Sequence, residues 1–536
     1  MKGDWAQHYL GWQFFRQESW QYPLGIISNF YYPMGSSIVY TDSLPLLALP
    51  LKLFSDYLPA EFQYIGGWLF FNYIMQGLVA GLLMRLLTPN ITLQALGIAF
   101  FVWSPALIGR IAHDTLTTHW LLLAGIWLYF RTWHHPTALK PFAAWLFLVT
   151  VSALTHPYLV IMMWSLMGAF YLRWWLIERN SGFFSTSFQM MALLIVTFGC
   201  WWMSGLFLVS GDDNLATQGF GYYSMNLFAP LNSMNWSVFF REFPLATDGQ
   251  GEGFNYLGLG TWVLLLWAMY ELKRQPSEKI KPLLPLLFIC LLLTLLALSH
   301  KVTLLQWTLF ELQGDWLKYF APFRSSGRFF WVVGYVLLFL ALSVLITRNS
   351  VRTSFPLLTL AFTLQAADFY PAHYHFRHVA NPAYHSWDYP LKSSQWEQLA
   401  VGRSHLLLIP PPNCGIEAAP YLPFSYFAMK HNMAINTGYV ARLDTEKSAE
   451  YCKQLYQSLD NGIVNPEALY IVNPDYLQKF QQNATSPLHC QQLDGFWACV
   501  VSSESVDKNI VQNYLPNPNI PIKINCRRDK VIRTAF

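Results

Sequence analysis

The chain has 536 residues, of which 54% are hydrophobic and 12% charged, with 23 Trp, 29 Tyr and 40 Phe and a formal net charge of +4. An average protein carries about 25% charged residues, so this composition cannot supply a soluble surface, and disorder, collagen and coiled coil are excluded with it. The small positive charge, with no Lys/Arg-rich stripe, gives no ground for a nucleic-acid partner, and what remains is a polytopic membrane protein.

The first 63 residues read as an extracytoplasmic or interfacial loop. Asp4-Trp5-Ala6-Gln7-His8-Tyr9-Leu10-Gly11-Trp12 opens it. As a helix it would put Asp4, His8 and Gly11 on one face and Trp5, Tyr9 and Trp12 on another. That suits a helix lying in the membrane interface, aromatics toward lipid and an acid–imidazole pair toward a site; Asp4 as a mere helix cap is the alternative.

Ten apolar runs follow, near residues 64–84, 92–109, 116–130, 142–154, 157–172, 189–208, 257–270, 283–299, 329–346 and 355–369. Several fall short of the roughly 20 residues of a full crossing. They are continuous and rich in Leu, Phe and Trp, without the alternation of a membrane β-barrel. Short connections carrying Arg85, Arg131, Lys140, Arg173, Arg179, Lys273, Arg274, Lys279, Lys281, Arg348 and Arg352 read as cytoplasmic. The longer, sparser ones (1–63, 110–119, 155–157, 209–256, 300–328 and beyond 370) read as extracytoplasmic. Met1-Lys2-Gly3-Asp4 does not read as a signal peptide, so an upstream transmembrane helix encoded ahead of Met1 is expected to carry the N-terminal loop across; export of the loop by the first span is the alternative.

Residues 371–536 hold no spanning run. Ser404–Pro410, Ala468–Asn473 and Phe496–Val501 predict strands, and Asp444–Leu459 predicts a helix. The segment reads as a small extracytoplasmic α/β domain. Five of seven cysteines lie there (Cys414, Cys452, Cys490, Cys499 and Cys526) and two, Cys200 and Cys290, lie in spans. Disulfides are permitted outside the cytoplasm. Cys490–Cys499 is the expected pair, because the chain between them can form a hairpin about Asp494-Gly495. No cysteine or histidine spacing matches a structural zinc site.

Ionisable residues collect at the extracytoplasmic ends: Asp4, His8, Asp42, Arg110, His113, Asp114, His119, His156, Asp212, Asp213, Glu252, His300, Arg324 and Arg328. Such groups at a membrane end become functional candidates when others join them. Arg110, His113, Asp114 and His119 suit a phosphate or a divalent metal, against snorkelling and capping of a helix beginning near Thr115. Glu252 lies among Gly249, Gly251, Gly253, Gly258 and Gly260, which would let backbone approach a ligand closely, or merely form a flexible connection. Arg324 and Arg328 stand i, i+4 at headgroup depth beside Ser325 and Ser326. Arginine forks match phosphate oxygens; the alternative is ordinary anchoring. The cofactor stays open, with a divalent cation as the candidate.

Several blocks resemble the GT-C superfamily of membrane glycosyltransferases, and specifically an uncharacterised bacterial branch of it known as a domain of unknown function. They are Gly3-Asp4 with His8–Arg16, Tyr40–Pro45, His119–Leu122, Glu252–Gly258 and Phe323–Trp331. The resemblance implies a multi-pass enzyme of the bacterial inner membrane with a GT-C-like helical bundle. It would take a sugar from a polyprenyl-phosphate donor in the bilayer and pass it to a glycan or protein acceptor at the extracytoplasmic face. An acid in the first external loop then serves as base or metal ligand, and Asp4 falls at that motif, with His8 to orient it. Arg110, Arg324 and Arg328 would meet the departing phosphate. The competing expectations are a transporter or flippase of lipid-linked glycans, which would more often show charge in mid-span, and a non-catalytic envelope scaffold with an exported binding domain.

Overall fold

The computed structural model describes residues 3–134, 141–178, 183–208, 219–275, 280–372, 374, 387–416 and 418–502. Asp212, Asp213, Cys526 and the loop charges Lys140, Arg179 and Lys279 lie outside the described residues. Two compact units emerge. One comprises Met1–Ile27, Ser36–Asp388 and Tyr439–Glu446; the other comprises Ser28–Gly35, Tyr389–Gly438 and Lys447–Phe536.

The first unit is helical. Helices occupy all ten positions of the apolar runs: Ile65–Arg85, Ile91–Val102, Trp120–His134, Pro141–Ala153, Pro157–Leu172, Phe183–Met203, Leu259–Arg274, Leu284–Leu298, Phe330–Arg348 and Val351–Asp368. Five stretches, Ile65–Arg85, Pro157–Ile177, Phe184–Met203, Lys281–Leu298 and Ser326–Arg348, are long and apolar enough to cross a bilayer. They are apolar all round, and large side chains such as Phe70, Phe188, Ile195 and Leu291 stay exposed. A soluble protein does not present such a belt; the chain is a multi-pass membrane protein. Local signals set the helix starts. The Asn90 side chain accepts from the Thr92 and Leu93 N–H groups, His156 accepts from Tyr158 N–H, and Pro157 follows at the first helical position.

Ile65–Arg85 packs on Ile91–Val102 and Trp120–His134, while Leu259–Arg274 packs on Phe330–Arg348 and Val351–Asp368. Trp145, Trp331, Phe170 and Leu342 fill the core between the helices. Arg173, read above as a loop charge, is instead fully buried: it donates to the Tyr129 carbonyl and Thr132 hydroxyl and pairs with Glu178 at 3.1 Å. Two antiparallel hairpins decorate the unit, β1 (Ile26–Ile27) with β2 (Ser36–Ser37) and β3 (Lys301–Leu304) with β4 (Trp307–Glu311).

The second unit is the expected α/β domain. Strands β5 (His405–Ile409), β6 (Ala434–Ile435), β7 (Ala468–Val472), β8 (Leu488–Leu493) and β9 (Phe496–Val501) form one sheet in the order β6-β5-β7-β9-β8. β5 runs parallel to β6 and β7, and β9 antiparallel to β7 and β8. The parallel pairs require crossovers, which contain helices Tyr421–Lys430 and Thr445–Asp460. Cys490 and Cys499 face each other across β8 and β9 and are bonded, the hairpin turning at Asp494 and Gly495 with φ of 48° and 89°. A second bond joins Cys414 to Cys452.

Candidate functional site

The first helix, Asp4–Gln17, positions the site, but not as an interfacial helix. It is buried from Ala6 through Phe15, and both predicted faces are covered, Tyr9 at 4% exposure and Trp12 at 1%. The following loop wraps it. Trp12 Nε1 and Gln13 Nε2 donate to the Phe62 carbonyl at 3.0 and 2.9 Å, and Arg16 donates to the carbonyls of Ser55, Leu58, Pro59 and Ala60. Gly11 is required for this packing, since a Cβ there would lie 2.3 Å from Thr41 Cβ and 2.4 Å from Ser43 Oγ. Gly3, not Asp4, is the N-cap residue, so the capping role for Asp4 falls away. The Asp4 carboxylate is half-buried and makes no hydrogen bond or ion pair of its own among the described residues.

One turn further on, His8 is 1% exposed and its Nδ1 meets the carboxylate of Asp114, itself 1% exposed. Asp114 therefore serves as partner to His8 through Oδ1. The segment Gly109–His119 is a run of turns, and the helix begins at Trp120 rather than near Thr115. Hydrogen bonds hold these turns: Thr117 Oγ1 donates to the Asp114 carbonyl at 2.7 Å, and Asn72 Nδ2 donates to Thr117 Oγ1 at 2.9 Å. His113 Nδ1 bonds the Thr115 hydroxyl at 3.1 Å, which turns Nε2 toward Asp42, 3.8 Å from Oδ2. His156 Nε2 stands 3.8 Å from the other Asp42 oxygen. Asp42 occupies a left-handed conformation, φ 52°, and Leu44 another, φ 49°. Such conformations cost about 1–3 kcal/mol and persist where the surroundings over-determine them, often at functional sites.

The electrostatics follow from burial and neighbours. Burial opposes charge on His8, but Asp114, then Asp42 and Asp4, outweigh it and raise its pKa. Burial pushes the Asp42 carboxyl up to about 6 against the pull of His8 and Arg328. His113 and His156 are held well below the usual imidazole range by burial, with His8 and Arg328 adding repulsion. Burial also raises Asp4, which feels His8, Glu252, Arg328 and Arg110.

Those last three form the second half of the site. Arg110 Nη1 donates to Glu252 Oε2 at 2.7 Å, and Arg328 Nη2 to Glu252 Oε1 at 2.6 Å. Although burial opposes charge on Glu252, the two guanidinium groups hold its pKa down to about 2. Two guanidinium groups against one carboxylate leave one positive charge, and Nε of both arginines is buried without a hydrogen-bond partner among the described residues. Tyr158 and Trp331 present ring faces to Arg328 and Arg110.

Two predicted members take other direct partners. Arg324 and Arg328 do not share a helical face: Ser326–Phe329 is a 3₁₀ turn, and Arg324 stacks on Tyr223, 4.9 Å from the ring centroid. His119 packs at 4.6 Å from the Trp331 ring, the ring that also faces Arg110, with Nδ1 2.7 Å from the Tyr335 hydroxyl. The glycines around Glu252 likewise approach the protein's own chain. A Cβ on Gly253 would lie 2.7 Å from Gly327 Cα, and one on Gly260 2.1 Å from the Ala361 carbonyl oxygen.

From the ionisable residues collected at the span ends the structure brings Asp42 and His156 into the site, and it adds Tyr439, which feels Asp4, Arg324, Asp42 and Glu252. Asp42 had a further signal, lying within the Tyr40–Pro45 block; nothing local in the sequence marked Tyr439. His8, Asp42 and His113 offer ligand atoms that all lie within 4.8 Å of one another and so could hold a metal ion.

Residues 1–370 match the family described as Domain of unknown function (DUF6311), and residues 395–501 match the DUF6311 C-terminal domain. No curated protein and no solved structure matches the chain.

Proposed function

The chain belongs to the DUF6311 family, and we propose that it is a GT-C-type membrane glycosyltransferase, moving a sugar from a polyprenyl-phosphate donor to a glycan or protein acceptor at the extracytoplasmic face. The observation that carries this reading is the position of Asp4. A carboxylate with no hydrogen bond or ion pair among the described residues stands within electrostatic reach of both His8 and the net-positive Arg110–Glu252–Arg328 triad.

Glycosyl transfer needs both halves. The acceptor hydroxyl oxygen bonds to the anomeric carbon, and its proton passes to Asp4, whose raised pKa favours taking it. The bond from the anomeric carbon to the phosphate oxygen breaks, and the charge gained by the departing polyprenyl phosphate is met by the triad's uncompensated positive charge. His8 is a positioning residue, locked by Asp114 and directed toward Asp42. The two tail disulfides and the sorting of Lys and Arg among the loops support an extracytoplasmic site and tail.

The test incubates the purified protein, reconstituted in vesicles, with lipid extracts of the producing cells. Free polyprenyl phosphate and consumption of a lipid-linked sugar are followed by mass spectrometry. Release of polyprenyl phosphate supports transfer. Movement of the intact lipid-linked sugar between leaflets without release favours the transporter instead.

A further inference from the structure

We propose that His8, Asp42 and His113 form a site for one divalent transition-metal ion, with zinc the ion the ligand set suits. The proposal stands on ligand geometry and holds whichever reaction the site performs.

The hydrogen bonds select which atoms face inward. Donation of Nδ1–H from His8 to the Asp114 carboxylate leaves the Nε2 lone pair free, and this atom is buried with no hydrogen-bond partner among the described residues. In the tautomer a metal ligand requires, His113 Nδ1–H donates to the Thr115 hydroxyl, and its Nε2 lone pair faces the Asp42 carboxylate at 3.8 Å. Two imidazole lone pairs and a carboxylate thus converge as acceptors, and only a cation or added protons can satisfy them together. Every ligand atom lies within 4.8 Å of the others. Ligands of a tetrahedral zinc at bond lengths of about 2.0–2.2 Å stand roughly 3.4 Å apart, so side-chain movement that closes the widest separation by about 1–1.5 Å completes the set.

The surroundings are those a bound metal uses. Asp114 on the far nitrogen of His8 is the carboxylate–histidine arrangement that fixes a ligating imidazole. His156 is excluded as a ligand through Nε2. Its Nδ1 accepts from the Tyr158 backbone N–H, so Nε2 carries the proton and serves as a donor toward Asp42. Three protein ligands with an open position characterise reactive zinc sites rather than closed structural ones. Imidazole nitrogens favour zinc-class ions over magnesium, which prefers oxygen. The left-handed backbone at Asp42 fits a residue held for its carboxylate position.

The experiment uses the full chain in detergent, stripped with a chelator and titrated with Co²⁺ and then Zn²⁺. One Co²⁺ per chain should bind with the visible d–d absorbance of a four-coordinate nitrogen–oxygen site, be displaced by one Zn²⁺, and persist in excess Mg²⁺. His113→Ala and Asp42→Asn should abolish the absorbance, and Asp114→Asn should weaken binding about 10–100-fold. Zn²⁺ should also raise the melting temperature of the stripped wild type, a readout that does not require any variant to fold. Absence of stoichiometric uptake, displacement by Mg²⁺, no thermal shift in the wild type, or uptake unchanged in folded His113→Ala and Asp42→Asn would each overturn the proposal.

Discussion

Replacing Glu252 by Gln tests the charge balance of the site. Glu252 joins Arg110 and Arg328 at 2.7 and 2.6 Å, and these are 11% and 8% exposed, whereas Glu252 is 32% exposed. Removing one partner of a fully buried pair costs about 3–5 kcal/mol. Partial exposure of Glu252 and the oxygen that Gln retains reduce this to roughly 2 kcal/mol. Thermal unfolding in detergent should show a drop of a few degrees, on the order of 5 °C. The pH dependence gives a second reading. The Glu252 pKa is depressed in the folded state to about 2 from the ordinary 4.5. Its stabilising contribution is therefore complete above pH ~4.5 and lost as pH falls through about 2. Wild type should lose melting temperature over that window more steeply than Glu252→Gln. With the arginines released, inorganic pyrophosphate should stabilise the variant more than wild type. A variant that melts with wild type at neutral pH, runs parallel to it in acid and ignores pyrophosphate would refute the reasoning.

Gly11→Ala forces a Cβ against Thr41 and Ser43 and should destabilise by about 1–3 kcal/mol, seen as a lower melting temperature. Replacing Cys490 and Cys499 together by Ser opens a nine-residue separation and should cost about 2–3 kcal/mol on the chain-entropy account; peptide mapping of unreduced wild type should recover the linked pair. A cysteine at exposed Asp460 should react in intact cells with a membrane-impermeant reagent, whereas one at exposed Lys273 should not; the opposite pattern reverses the topology.

Much of the architecture was legible because its signals are local. Unbroken apolar runs located ten helices, and the Cys490–Cys499 pair followed from a hairpin whose turn residues, Asp494 and Gly495, tolerate positive φ. The site was legible only as a collection of ionisable residues at span ends. Its pairings are tertiary: His8 meets Asp114 across 106 positions, and Arg328 meets Glu252 across 76. No spacing rule reaches that far. The i, i+4 argument for Arg324 and Arg328 failed because it presumes 3.6 residues per turn, whereas the chain there is a 3₁₀ turn. The amphipathic reading of the first helix failed because residues 36–64 cover its aromatic side, and a helix wheel cannot show what a later loop covers.

The most direct test of the central claim compares wild type with Asp4→Asn for release of polyprenyl phosphate from a lipid-linked sugar. Asn preserves size, and Asp4 neither caps its helix nor holds an ion pair among the described residues, so the variant should melt within about 1 kcal/mol of wild type. Loss of a general base lowers turnover by about 10²–10⁴-fold, and that is the predicted result. A folded Asp4→Asn protein that releases polyprenyl phosphate at the wild-type rate would contradict it.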